Sequence, residues 1–154
     1  MQLATPQPLS PTTVHDTSRA QSRKQVLAII AEKAAACCAV PEQAIFQALL
    51  ERERLGSTGV GKGVAIPHAR FAEIKEPISV FVRVPDAVDF DAPDGRKVDL
   101  FYALLVPKSA DKTVHLRHMA RIARLMRREE LCTSIRQAPN DDVIDALLAD
   151  AEKG

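Results

Sequence analysis

The stretch Leu55-Gly56-Ser57-Thr58-Gly59-Val60-Gly61-Lys62-Gly63-Val64-Ala65-Ile66-Pro67-His68-Ala69-Arg70 constrains the fold more than any other part of the chain. Four of the protein's six glycines lie in it. Glycine reaches positive φ at little cost and lets main-chain N–H groups come close to a ligand. Concave arrays of such groups bind anions, phosphate among them. Val64-Ala65-Ile66 predicts a short buried strand. Pro67 stops its ladder, because proline has no N–H and restricts the residue before it. His68 is thereby set just past a strand end, beside a glycine-rich loop, a setting that suits a reactive imidazole.

A nucleotide-binding P-loop is the first competitor. Gly56 to Lys62 fits G-x-x-x-x-G-K, but Gly63 stands where the motif needs the Ser or Thr that binds magnesium. The order of elements is also reversed. A P-loop leads from strand into helix, whereas here a helix precedes the glycines and a strand follows them. Both departures argue against ATP or GTP at this loop.

At 154 residues the chain predicts one domain, large enough to bury about two-thirds of its unfolded surface. Charges nearly cancel, leaving +1, so no global field marks it for nucleic acid or membrane. No apolar run approaches the ~20 residues that a membrane span needs. Met1 to Ser18 lacks a basic segment followed by an apolar core, so it is no secretory signal. Its Pro, Ser and Thr content predicts a flexible lead-in over 1–18, with a short strand near Thr12–Val14, ahead of a domain spanning 19–154. Cys37, Cys38 and Cys132 form no C-x-x-C. They are expected to be small buried residues in a reducing cytosol.

Ser22 and Gln25 make a capping box, and Gln25–Ala39 carries apolar residues at helical spacing. Pro41 opens a second helix that runs to about Arg54. On it Ile45, Ala48, Leu49 and Arg52 share one stripe. Arg52 is therefore either a cation snorkelling out at the negative end of the helix dipole or one leaning over the glycine loop toward an anion. Ile78–Val84 predicts a strand, Ala87–Asp91 a short extended piece, Pro93-Asp94-Gly95 a turn, and Val98–Val106 a long buried strand. Asp111 or Thr113 caps a third major helix through Arg127, with Leu116, Met119, Ala120, Ala123 and Met126 inward. Glu129–Gln137 and Asp141–Asp150 predict two further helices. The elements add up to an α/β sandwich.

His115 falls in the first turn of the third helix, where the dipole disfavours an imidazolium. It is either a surface histidine or a neutral donor to an anion. His115 and His118 are spaced to share a metal, but no Cys or carboxylate is spaced to join them. His15 has no role. Arg117, Arg121, Arg124 and Arg128 form a basic stripe, either a solvated face or a dock for an acidic partner. With one Tyr, no Trp and a balanced charge, the partner expected is protein rather than nucleic acid. No G-x-S-x-G elbow is present, and the chemistry left standing is phosphate on His68.

From Arg52 to His68 the sequence resembles the fructose/mannitol-type (type 2) enzyme IIA family of the bacterial phosphoenolpyruvate-dependent phosphotransferase system. Within that family it is most similar to the nitrogen-regulatory branch, a stand-alone regulatory enzyme IIA. Residues 101–107 and 112–116 are further matches, and the likeness runs from about Ser22 to the C-terminus. The resemblance implies a mixed β-sheet of about four to five strands with helices on both sides. It implies that His68 accepts a phosphoryl group, with Arg52 and His115 lining the pocket. The donor would be a phosphohistidine on a small HPr-like carrier protein, and no cofactor is called on. Phosphoryl transfer asks mainly for positioning and charge stabilisation. The loop N–H groups, Gly59 among them, and the Ser57 and Thr58 hydroxyls would bind phosphate.

One departure from the family stands out. Sugar-transporting members carry a glutamate six residues before the reactive histidine, where this chain has Lys62. That cation and the absence of a fused transport domain favour the regulatory branch. The expected output is regulation of target proteins (transporters, kinases or metabolic enzymes) by phosphorylation state, in the cytoplasm and without membrane insertion. Two rivals remain: a sugar-specific enzyme IIA serving a separate permease, and a pure binding regulator whose pocket is vestigial.

Overall fold

The computed structural model describes residues 13–16 and 20–153. Apart from the strand below, the expected lead-in over 1–18 lies outside these described residues. In order, the elements are β1 (Thr13–Asp16), α1 (Arg23–Ala35), α2 (Glu42–Leu55), β2 (Gly59–Gly61), β3 (Val64–Ala65), β4 (His68–Phe71), β5 (Ile78–Val88), β6 (Val98–Pro107), α3 (Lys112–Met126), α4 (Glu129–Gln137) and α5 (Asp141–Lys153). The strands form one mixed sheet in the order β1-β5-β6-β3-β2, with β4 also paired to β6. β5 and β6 are antiparallel, while β1 runs parallel to β5, and β3 and β4 run parallel to β6.

Alternation along β6 splits its side chains between two cores. Phe101, Ala103 and Leu105 join Val26, Leu27, Ile30, Ile45 and Leu49 of α1 and α2 on one face. Leu100, Tyr102, Leu104 and Val106 join Ile122, Leu125, Leu131, Ile135, Ile144 and Leu148 of α3 to α5 on the other. A strand buried on both faces is near-continuously apolar, which is why β6 reads that way in sequence.

Pro67 interrupts a strand without ending it. Val64 pairs with Leu100 and Ala65 with Phe101 before the proline, and His68 pairs with Leu104 and Ala69 with Leu105 after it. The register on β6 is the same on both sides, and the Pro67 carbonyl still accepts from the Leu104 amide at 2.9 Å. His68 therefore opens a second short strand instead of lying in a loop. Ahead of it, Lys62 and Gly63 both sit at positive φ, 58° and 79°, as a two-residue hairpin turn between β2 and β3 requires.

Three helical details differ from the sequence reading. Ser22 Oγ accepts from the Gln25 amide at 3.2 Å, but the Gln25 side chain turns back to the Gln21 amide instead of that of the cap residue. α1 ends at Ala35, short of Ala39, with the Cys37 and Cys38 thiols on the carbonyls of Lys33 and Ala34. Cys37 is exposed and Cys38 half-buried, so only Cys132 is the buried residue expected of all three. In α3, Leu116 is 66% exposed and Ala120 also faces out, while Ile122 and Leu125 take the inward places. The first turns of this helix project past the core, and its true inward stripe begins only where the sheet lies beneath it.

Leu27 is fully buried in the α1–α2 core. Leu27→Ala is expected to lower unfolding stability by about 3 kcal/mol, read as an earlier urea midpoint at unchanged slope.

Candidate functional site

Three separate elements bring Arg52, His68 and His115 together. Arg52 lies in the last turn of α2, His68 opens β4, and His115 lies in the first turn of α3. Ala69 and Phe71 turn toward the α1–α2 core, so His68 projects to the α3 side by simple strand alternation. There its ring lies 5.7 Å from that of His115, tilted by 51°.

Two hydrogen bonds set the state of the His68 ring. Nδ1 lies 2.8 Å from the Ile66 carbonyl oxygen, and Arg52 Nε lies 3.2 Å from Nε2. A carbonyl only accepts and a guanidinium only donates. The tautomer that satisfies both therefore has the proton on Nδ1 and the lone pair on Nε2. Arg52 is itself held by Nη1 donating to the Gly56 carbonyl at 2.8 Å, so the loop aims the arginine at the ring. Burial, then the Arg52 charge, hold the His68 pKa below the ordinary imidazole value, against the opposing pull of the Ile66 bond. His115 is shifted the same way by burial and by its neighbours His68, Arg70 and His118. The site is cationic around a neutral imidazole.

The glycine loop is wired differently from the sequence expectation. Ser57 Oγ donates to the Phe90 carbonyl at 2.5 Å and accepts from the Gly59 amide at 3.0 Å. The Thr58 hydroxyl donates to buried Glu53, which also accepts from the Thr58 amide at 3.2 Å. The three expected phosphate donors, Ser57, Thr58 and Gly59, are thus spent inside the protein. Gly59 is a glycine for another reason: a Cβ there would lie 2.8 Å from that of Ala92. Sequence reasoning missed Glu53, because its partner is set by the fold of the loop and no local pattern announces it. Burial raises its pKa, and the Thr58 bonds oppose that rise.

Lys62 is engaged by protein partners. Its Nζ makes a 2.9 Å ion pair with Glu129 Oε1 at the start of α4, its amide donates to Asp94 Oδ2, and its carbonyl accepts from Arg136. Among the described residues, no group of three His, Cys, Asp or Glu is gathered as a metal site around His115 and His118 or elsewhere. The basic stripe is only partly solvated. Arg121 pairs with Glu152, whose side chain is 2% exposed, and Arg128 donates to the Ala151 carbonyl, while Arg117 and Arg124 face solvent. Among the described residues no helix is long and apolar enough to cross a membrane.

The site is a half-buried imidazole held neutral under an arginine, on a sheet sandwiched by helices. Residues 7–151 match the family described as phosphoenolpyruvate-dependent sugar phosphotransferase system, EIIA 2. The nitrogen regulatory protein of Escherichia coli strain K12 is 40% identical over 133 residues, covering 86% of this chain and 81% of that one. That of Bradyrhizobium diazoefficiens is 38% identical over 141 residues, 92% of each chain. The crystal structure of nitrogen regulatory protein IIA-Ntr from Neisseria meningitidis superposes with a TM-score of 0.82 at 33% identity, covering 88% of this chain and 92% of that one. The chain belongs to the EIIA 2 family of the phosphotransferase system, in its nitrogen-regulatory branch. It is a phosphotransferase component of the kind that works through a phosphohistidine intermediate.

Two measurements follow from this geometry. In an NMR titration His68 is expected to protonate below the usual value of about 6.5, and Arg52→Gln to move that midpoint upward by removing a neighbouring positive charge. Gly59→Ala is expected to cost about 1–3 kcal/mol through overpacking, with Ala92→Gly restoring part of it in thermal unfolding.

Proposed function

We propose that His68 is the phosphoryl acceptor of this enzyme IIA and that Nε2 is the attacking atom. The observation that carries the reading is the pair of bonds on its ring, which leaves the Nε2 lone pair facing the Arg52 guanidinium. A neutral imidazole is already a nucleophile and needs no strong base. The donor is a phosphohistidine on an HPr-like carrier protein, and no cofactor is called on. Nε2 bonds to phosphorus as the bond from phosphorus to the donor's ring nitrogen breaks, and that nitrogen keeps the bonding pair.

Arg52 must leave Nε2 for the attack. Its bond to the Gly56 carbonyl offers a pivot on which the guanidinium swings to the phosphoryl oxygens. His115 completes the pocket from α3. Direct help from Ser57, Thr58 and Gly59 requires them to release Phe90, Glu53 and Ser57 Oγ in turn, so we assign them first to shaping the loop and second to binding phosphate.

Both donor and recipients of the signal are proteins in this reading. Large apolar side chains stand exposed at Leu55 and Val60 on the loop and at Val114 and Leu116 flanking His115. Apolar residues collected around a reactive group mark a docking face. Adding ~1.5–2 negative charges there alters which target proteins, such as transporters, kinases or metabolic enzymes, bind that face. We assign the protein to the cytoplasm, and its body to residues 19–154, with β1 a strand supplied from the lead-in 1–18. The absence of a glutamate at Lys62 weighs against a sugar-specific enzyme IIA serving a separate permease.

Intact-mass spectrometry after mixing with phosphoenolpyruvate and the host's carrier proteins tests the reading. The expected outcome is one added phosphoryl group, lost in mild acid, absent from His68→Ala and reduced about tenfold or more in rate in Arg52→Gln. No added mass, with the carriers shown competent on another acceptor, would leave the pocket a docking site only. Loss of the phosphate to a sugar through a permease component would revive the sugar-specific rival.

A further inference from the structure

The position of Arg70 is not that of a solvated arginine. It lies two residues beyond His68 on β4, so strand alternation turns both side chains to the α3 side, while Ala69 and Phe71 face the opposite core. Its Nη2 donates to the carbonyls of Lys108 and Ala110, each at 3.0 Å. Those carbonyls lie just before Asp111, whose side chain caps α3. The guanidinium is thereby fixed at one end.

The other end is not used. Arg70 Nε is buried and has no hydrogen-bond partner among the described residues, and His115 Nδ1 is in the same condition. A guanidinium N–H withdrawn from water without an acceptor is costly, and native proteins rarely leave one so. The Arg70 charge is also felt at His115, the ring that lies against His68. A spare cationic donor and a spare imidazole nitrogen therefore flank the same histidine.

Resting on the reading of His68 as acceptor, we propose that Arg70 is a second guanidinium for the phosphoryl group, with Nε–H donating to one of its oxygens. The division of labour between the two arginines follows from their present bonds. Arg52 occupies Nε2 and has to move before the phosphoryl group can arrive. Arg70 Nε has nothing to give up, and its Nη2 keeps its two carbonyls throughout. Arg70 is the fixed half of the cradle and Arg52 the moving half.

The experiment is phosphorus NMR on the phosphorylated full chain, following the last ionisation of the phosphoryl group with pH, in wild type, Arg70→Gln and Arg70→Lys. A nearby fixed cation favours the doubly charged phosphoryl, so Arg70→Gln is expected to raise the titration midpoint, with Arg70→Lys returning it part of the way. The rate of phosphorylation by the carrier is expected to fall about tenfold in Arg70→Gln. Thermal unfolding is measured alongside, since the bonds to Lys108 and Ala110 also brace the start of α3. A midpoint and a rate equal to wild type in Arg70→Gln, whatever its thermal stability, would overturn the proposal and leave Arg70 a brace. Should Arg70→Gln fail to fold, Arg70→Lys decides: a raised midpoint supports the proposal and an unshifted one overturns it. A wild-type chain that takes no phosphate on His68 sinks the acceptor reading itself, a result visible before any variant is compared.

Discussion

The single register that β3 and β4 keep on β6, with Pro67 between them, is the constraint on which the site depends. An unbroken strand would bury its residues evenly, and a strand ended at Pro67 would leave His68 on a mobile loop. Here the chain loses its ladder for a residue or two and then resumes in place. The Ile66 carbonyl, freed at the break, accepts the Nδ1 proton of His68. The interruption thus supplies both the position of the imidazole and the acceptor that fixes its tautomer. β6 is buried on both faces from Leu100 onward, so the platform under this arrangement has little room to shift.

One field serves two states of the site. Burial, then the Arg52 charge, keeps the His68 ring neutral, and the Arg70 charge bears in the same sense on His115, whose ring lies against it. The same cations favour whatever anion arrives. In the proposed reaction a phosphoryl group brings ~1.5–2 negative charges, so groups that repel a proton would become the groups that hold the product. Apart from the swing proposed for Arg52, the charges would stay in place between the two roles, which is the sense in which preorganised charge assists phosphoryl transfer. Buried Glu53 turns its carboxylate to Thr58 and is spent on the loop, although the Arg52 charge also bears on it.

What could be read from sequence was local. The 45, 48, 49, 52 spacing puts Arg52 on the inner side of α2, and the position of His115 beside an Asp cap puts it at a helix start; both places are where the structure has them. β4 was unreadable because four residues after a proline carry no period of their own, and their strand state comes from β6. The phase of α3 was misjudged at Leu116 for a similar reason. Helical spacing names a stripe, but only the sheet beneath decides where along the helix burial begins. The loop glycines were assigned to an anion cradle, whereas Gly63 serves a hairpin turn and Gly59 a close approach to Ala92. Composition gives the flexibility of such a loop and says nothing of what fills its hydrogen bonds.

The position of Lys62 shows how a departure from a family pattern can act without touching the reaction. In sequence it replaces an acid near the histidine and invites an argument about the field at phosphate. In the structure it lies at the tip of the β2–β3 hairpin, its amide tied to Asp94 in the turn before β6 and its carbonyl and ammonium to Arg136 and Glu129 of α4. Arg136 is bound in turn to Asp99 by two bonds of 2.9 Å. The exposed Lys62–Glu129 pair contributes little by itself, but the set of contacts clasps the hairpin to β6 and α4. A glutamate in this place would face Glu129 and lose that pairing. The lysine therefore belongs to the support of the loop, and whatever distinguishes this chain's targets is more economically sought in the exposed apolar residues of the proposed docking face.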